Sequence, residues 1–123
     1  MEIEFIRSLR KRLPESPHLA VGPGDDAAIL QPDGSVVTCD LLCDGTHFTL
    51  GTDAPLRIGR KCLAVNLSDL AAMAAEPTAA FLAVALPRDH ANIADELLDG
   101  MLPLAEQFKV AIAGGDTNVW DGP

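Results

Sequence analysis

The sequence has 123 residues, 48% of them hydrophobic, which is enough for one domain with its own core and too apolar for a disordered tail. Its longest apolar run, Ala79 to Leu86, is far shorter than the roughly 20 residues that cross a bilayer, and its acidic start is unlike a signal peptide. The net charge of −9 argues against direct binding to the backbone of nucleic acids. With three cysteines and no CxxC pair, we predict a soluble cytoplasmic domain.

The first half of the chain shows the patterns of one helix, a hairpin and an extended segment. Apolar side chains recur at helical spacing near the N-terminus, and Pro14 ends that pattern. Further along, a Pro-Asp-Gly turn signal separates two strand-like runs. In chain order the predicted elements are a helix over 2–13, a loop over 21–26, a hairpin of strands 27–30 and 35–41, and an extended segment over 42–49.

The second half predicts two helices that alternate with two strands. The first helix starts at Pro55, with Asp53 as its N-cap, and ends near Ala75 ahead of Pro77. A buried strand over 77–86, a helix from Asp89 with a kink at Pro103, and a short strand over 110–113 follow. The chain closes on a turn-like sequence, from which we expect it to be part of a longer protein.

Aspartates account for twelve of the eighteen acidic residues, and several stand beside small residues at predicted strand ends or loops. Asp26, Asp40, Asp44 and Asp116 have this setting, in which carboxylate oxygens can converge on a hard divalent cation. Such cations would let an acidic domain bind a phosphorylated ligand. Asp69 differs, because it lies inside a predicted helix among apolar neighbours. It either faces solvent or has a partner such as a cation.

Other polar motifs leave both a structural and a functional interpretation open. Gly114 to Thr117 is either a plain turn after a strand or a loop whose amides approach phosphate while Asp116 holds a metal. His47 is either an ordinary surface or core histidine or a phosphate contact beside Gly45. The basic residues Arg57, Arg60 and Lys61 either lie on a solvated helix end or contact an anionic ligand. No P-loop or GxGxxG motif is present.

Four segments together resemble the thiamine-monophosphate kinase family, which belongs to the aminoimidazole ribonucleotide synthetase-like superfamily. They occur in that family's order and at compatible spacings, and the Asn-Leu-Ser-Asp-Leu-Ala-Ala-Met stretch is the most specific of them. The resemblance covers the whole chain, but only the N-terminal domain of the family. The segments are Gly24–Ala28, Asp40–Phe48, Lys61–Met73 and Gly114–Thr117.

The resemblance implies an α+β fold, with a mixed β-sheet and helices packed on one face. It implies a single domain over residues 1–123 that binds Mg-ATP and pairs in a homodimer, with the family's C-terminal domain absent from this chain. Transferred residue by residue, it assigns Gly115 and Asp116 to ATP and His47 to the thiamine phosphate. The Mg²⁺ ligands that it implies are Asp26, Thr38, Cys39, Asp40, Asp69 and Asp116.

Two positions depart from the family pattern. Cys39 stands where the family usually has a hydroxyl residue, so that only its backbone carbonyl is expected to serve as a ligand. Ala74 replaces a common glycine, a change that we expect to be minor because alanine suits a helix better.

The implied reaction transfers the γ-phosphoryl group of ATP to thiamine monophosphate and gives thiamine diphosphate. Both reactants are anions, so several Mg²⁺ ions held by aspartates would offset their repulsion. An ionised acceptor needs no covalent nucleophile, and we expect direct in-line transfer without a phosphoenzyme and without a catalytic side chain.

Two alternatives to this function remain. The chain is part of another ATP-using synthetase of the superfamily, or it is a non-catalytic dimerisation or metal-binding module. The isolated chain is expected to be inactive.

Overall fold

The structure, a computed structural model, describes residues 1–122 and contains three α-helices and five strands within that range. A 3₁₀ helix, Arg88–Ile93, precedes the last α-helix. No helix among these residues is long and apolar enough to cross a membrane. The elements in chain order are α1 (Glu2–Arg12), β1 (Leu19–Val21), β2 (Ala28–Leu30), β3 (Val36–Val37), α2 (Pro55–Ala72), β4 (Ala79–Leu86), α3 (Ala94–Gln107) and β5 (Ala111–Val119).

The chain divides into two compact units, with α2 running through both. The first unit comprises residues 1–39 and 66–76 and contains a three-stranded antiparallel sheet in the order β1-β2-β3. Its hairpin pairs Ala28 with Val37, so the start of β2 lies beside the end of β3. Helix α1 buries none of its residues.

The second unit comprises residues 40–65 and 77 onward, and its sheet consists of β4 and β5 in parallel. Most of the buried apolar side chains belong to this unit, where burial removes them from water and stabilises the fold. They come from the start of α2, the end of β4, the 3₁₀ helix, α3 and the residue before β5. The buried residues are Ile58, Leu63, Leu86, Ile93, Met101, Leu104, Ala105 and Val110.

Helices α2 and α3 approach each other closely at two glycines. A Cβ atom at Gly59 would overlap the backbone of Leu97, and one at Gly100 would overlap the backbone of Leu56. The contact is reciprocal, because each helix offers one glycine to the backbone of the other. A side chain at either position would therefore force the helices apart.

The α+β fold class is confirmed. Antiparallel and parallel strand pairing are both present, but in two separate sheets instead of one mixed sheet. The predicted N-terminal helix, the hairpin and the helix starting at Pro55 are also confirmed, although the second hairpin strand covers only Val36–Val37 instead of 35–41. Strand β1 was missed, because three residues give too short a pattern to recognise. The predicted extended segment 42–49 is not a strand: residues 45–47 form a turn between Asp44 and Phe48, which make one isolated bridge.

Three further predictions from the second half were wrong. The helix predicted from Asp89 begins as a 3₁₀ helix, and its α-helical part starts at Ala94. Strand β4 is not buried on both faces, since its residues alternate between exposed and covered. Asp53 does not occupy the cap position, because α2 starts at Pro55 and the Asp53 carboxylate accepts a hydrogen bond from the amide of Thr49 (2.7 Å).

Helix α2 ends in a Schellman motif whose left-handed residue is Ala74, at φ 53°. The amide of Ala75 donates to the carbonyl of Leu70 (2.9 Å), and the amide of Ala74 donates to Ala71 (3.0 Å). This corrects the expectation that alanine suits position 74, because a Cβ atom in the left-handed region costs about 1–2 kcal/mol. Helix α3 ends in the same way, with Lys109 at φ 57°.

Ala74→Gly should raise the free energy of unfolding by roughly 0.5–1 kcal/mol, because the strain relieved exceeds the entropy that glycine adds to the unfolded chain. Urea denaturation measures the change. Ala72→Gly is the matched control, since the same substitution in the last helical residue should destabilise by about 0.5–1 kcal/mol. Changes of the same sign in both variants would contradict the assignment of Ala74 as the left-handed cap.

Candidate functional site

Three of the predicted ligand residues come together in the first unit. The Thr38 hydroxyl lies 3.0 Å from Oδ2 of Asp69 and 3.2 Å from the backbone carbonyl of Asp26, and its proton points to one of these oxygens at a time. The hairpin register explains the contact with Asp26, because Asp26 precedes β2 and Thr38 follows β3 at the same end. Asp69 reaches the threonine from α2. The group therefore joins a carbonyl, a hydroxyl and a carboxylate oxygen.

This arrangement decides between the two interpretations of Asp69. The residue is half-buried rather than fully exposed, and its carboxylate accepts the hydrogen bond from Thr38. A partly buried carboxylate is stabilised by such a donor. Asp69 therefore has a partner, as its apolar neighbours required, and that partner is a hydroxyl group.

The second unit holds His47 in a loop with many internal hydrogen bonds. The amides of Thr46 and His47 both donate to the carbonyl of Cys43, at 3.3 and 2.9 Å, and the amide of Gly45 donates to Phe48 (2.8 Å). Between the loop and the start of α2, the amide of Leu50 donates to Oδ1 of Asp44 (2.8 Å). The loop is therefore held by its own backbone and by the short acidic side chains of Asp44 and Asp53.

Two contacts fix His47 itself. The amide of Cys43 donates to Nδ1 of the imidazole (2.9 Å), and the ammonium group of Lys61 donates to the backbone carbonyl of His47. Because Nδ1 accepts a hydrogen bond, the neutral ring carries its proton on Nε2. His47 is exposed, so this Nε2–H is available as a donor to a ligand.

Gly115 and Asp116 lie inside β5, so neither the turn nor the loop predicted for Gly114 to Thr117 is correct. The parallel ladder with β4 continues past the glycines, pairing Leu82 with Gly115 and Ala83 with Asp116. A Cβ atom at position 115 would overlap the Leu82 carbonyl, so this close pairing requires glycine. Asp116 is exposed, and its Oδ2 accepts a hydrogen bond from Nδ2 of Asn118 (2.6 Å).

The remaining predicted ligands are Cys39 and Asp40, which follow Thr38 and are both exposed. Of the other cysteines, Cys62 is partly covered, and burial raises the pKa of its thiol, so the group stays protonated at neutral pH. This agrees with the interpretation of that cysteine as a neutral neighbour. None of the three cysteines forms a disulfide.

The donors at these positions suit a hard cation such as Mg²⁺. Carboxylate, hydroxyl and carbonyl oxygens are what Mg²⁺ prefers, and the Asp26–Thr38–Asp69 group supplies all three types within hydrogen-bond distance. Within residues 1–122, no three His, Cys, Asp or Glu side chains form a cluster that could hold a metal alone. Magnesium at nucleotide sites usually takes one or two carboxylates and completes its shell with phosphates and water, so the donors fit.

Sequence reasoning missed two contacts of these site residues. It did not identify Asn118 as the partner of Asp116, although a spacing of two in a strand places both side chains on one face. Treating residues 114–117 as a turn hid that periodicity. The contact of Lys61 with His47 had no signal in the sequence, because fourteen positions separate the two residues.

Residues 24–123 match the family of AIR synthase related proteins, N-terminal domain. The thiamine-monophosphate kinase of Rhodopirellula baltica is 43% identical, over 100% of this chain and 42% of that protein. The crystal structure of thiamine-monophosphate kinase from Stenotrophomonas maltophilia is also 43% identical, with a TM-score of 0.65 over 98% of this chain and 37% of that one. AaThiL complexed with AMPPCP and TMP is 25% identical, with a TM-score of 0.78 over 97% and 37%. The chain thus spans less than half the length of these relatives.

Thr38→Val should lower the free energy of unfolding by about 1.5 kcal/mol, because it removes the hydroxyl donor from a half-buried carboxylate. Thr38→Ser is the matched control, since it retains the donor and should cost clearly less. Urea denaturation compares the two variants. An equal loss in both would mean that the methyl group, and not the hydroxyl, is responsible.

Neutral His47 should be the Nε2-protonated tautomer, which the nitrogen chemical shifts of its ring report directly in ¹H–¹⁵N NMR spectra. His18 is exposed with no ring partner among residues 1–122, so it should show a mixture of both tautomers and serves as the control. A predominant Nδ1–H form at His47 would rule out the hydrogen bond from the Cys43 amide.

Proposed function

The chain belongs to the family of AIR synthase related proteins, of which it carries the N-terminal domain. From this we propose that it is the Mg-ATP-binding part of a thiamine-monophosphate kinase. The observation that carries the proposal is the Asp26–Thr38–Asp69 group, whose oxygen donors suit the cations that accompany a nucleotide. The reaction would convert ATP and thiamine monophosphate to ADP and thiamine diphosphate.

The main obstacle to this reaction is the repulsion between two phosphate anions, made worse by a protein of charge −9. Bound Mg²⁺ would supply positive charge between the phosphates and the carboxylates. In the first unit the ligands would be Asp26, Thr38 and Asp69. The backbone carbonyl of Cys39, which also belongs to the first unit, would be a further ligand. In the second unit the ligands would be Asp40 and Asp116.

The other residues would bind and orient the two phosphate compounds. Gly115 and Asp116 would contact ATP, where a glycine lets a ligand approach the strand backbone. His47 would donate its Nε2–H to the phosphate of thiamine monophosphate, from a loop fixed by Lys61 and the Cys43 amide. Because the acceptor is already ionised, transfer would be direct and in line, without a covalent nucleophile.

We also propose a homodimer in the cytoplasm. Support for the dimer comes from the sheet of the second unit, where the outward residues of β4 are apolar and Phe81 is 78% exposed. A face of this kind favours protein contact over solvent. Cysteines without a disulfide are what a reducing compartment favours.

The alternative within the superfamily is a synthetase that activates another acceptor with ATP. A chimera tests this, in which the chain replaces the matching N-terminal part of the Rhodopirellula baltica relative. We expect ADP formation that depends on thiamine monophosphate. ADP formation with another phosphorylated acceptor and none with thiamine monophosphate would favour the alternative.

The chain itself should bind AMPPCP in calorimetric titrations only when Mg²⁺ is present, since the carboxylates would otherwise repel the nucleotide. Asp69→Asn and Asp116→Asn should each weaken this binding at least about tenfold, because each removes a charged ligand. Asp33→Asn is the control, as this exposed turn carboxylate bonds to Ser35 and should leave binding unchanged. Undiminished binding in both site variants would contradict the metal-ligand proposal, and no binding by folded wild-type chain would favour the non-catalytic module.

A further inference from the structure

Asn118 pairs with Asp116 on β5, and Asn118 is not among the residues assigned to the metal or the nucleotide. Nδ2 of Asn118 donates to Oδ2 of Asp116 over 2.6 Å. The two residues are separated by two positions in one strand, so their side chains project from the same face. Opposite them on β4 stand Ala83 and Ala85, which offer no donor group.

Exposure makes this contact important for a metal ligand. A carboxylate on an exposed strand rotates freely, and binding a cation through one oxygen then requires that freedom to be lost. A hydrogen bond to the second oxygen removes part of that cost in advance. Outer partners of this kind orient metal ligands, and losing them typically weakens metal binding by about 10–100-fold.

We propose that Asn118 is a positioning residue for Asp116: it holds Oδ2 and leaves Oδ1 as the oxygen that binds Mg²⁺. This inference rests on the proposed function, in which Asp116 is a ligand of the Mg-nucleotide. Asparagine suits the task because its amide donates without carrying charge. A lysine or arginine at this position would neutralise the carboxylate and compete with the cation for it.

The test compares two substitutions of nearly equal shape. Asn118→Val removes the donor, whereas Asn118→Thr restores a hydroxyl donor on a similar β-branched side chain, and both residues suit a strand. In titrations of AMPPCP with Mg²⁺, Asn118→Val should weaken binding at least about tenfold and Asn118→Thr clearly less. Asp33→Asn is the control, because this exposed turn carboxylate bonds to Ser35 away from β5 and its variant should bind like the wild type.

A second measurement on the ligand-free chain keeps the inference independent of nucleotide binding. In ¹H–¹⁵N spectra the side-chain amide of Asn118 should exchange with solvent more slowly than that of exposed Asn92, and Asp116→Ala should abolish the difference. Equal exchange at both asparagines in the wild type would overturn the inference.

The two proposals fail in different ways. If Asp116→Asn leaves Mg-dependent binding unchanged, Asp116 is not a ligand and that part of the proposed function fails, taking the inference with it. If Asp116→Asn weakens binding while Asn118→Val binds like the wild type, Asp116 remains a ligand and only the positioning role of Asn118 is refuted. Equal losses in Asn118→Val and Asn118→Thr would also refute that role, since the donor would then be irrelevant.

Discussion

The parallel pairing of β4 and β5 is the constraint on which the second unit, with the candidate residues Gly115 and Asp116, depends. A parallel ladder demands that the two backbones run side by side at constant spacing, and at Leu82 the approach is so close that only glycine fits opposite. With Gly115 in that position, the strand continues to Val119 instead of turning away. The ladder thereby places Asp116 on a regular strand, where alternation decides which neighbours share its face.

In the first unit a similar role falls to a single hydroxyl group. Thr38 follows the hairpin and contacts both the carbonyl of Asp26 and the carboxylate of Asp69, which joins the sheet to α2. Threonine can do this because its oxygen both donates and accepts. A residue that would serve as a ligand is thus also part of what holds the unit together, which ties the geometry of the site to the stability of the fold.

The sequence was most informative where patterns were long or chemically specific. Periodicity located α1 and α2. The four family segments supplied the candidate site residues, which stay a prediction. It was least informative at the helix end near Ala74 and at Gly114–Thr117, where the local composition suggests one conformation and the tertiary context imposes another. Contacts such as that of Lys61 with His47 depend on loop geometry that no spacing rule contains.

The two-stranded sheet has a consequence for how the protein behaves in concentrated solution. Among residues 1–122, β4 and β5 pair only with each other, so each presents an outer row of amide and carbonyl groups to any extended peptide. The alternating apolar residues of β4 would give such a peptide a surface to cover. Edge-to-edge association is therefore favoured by the backbone and opposed by the net charge of −9, and added salt, which screens that charge, shifts the balance toward assembly.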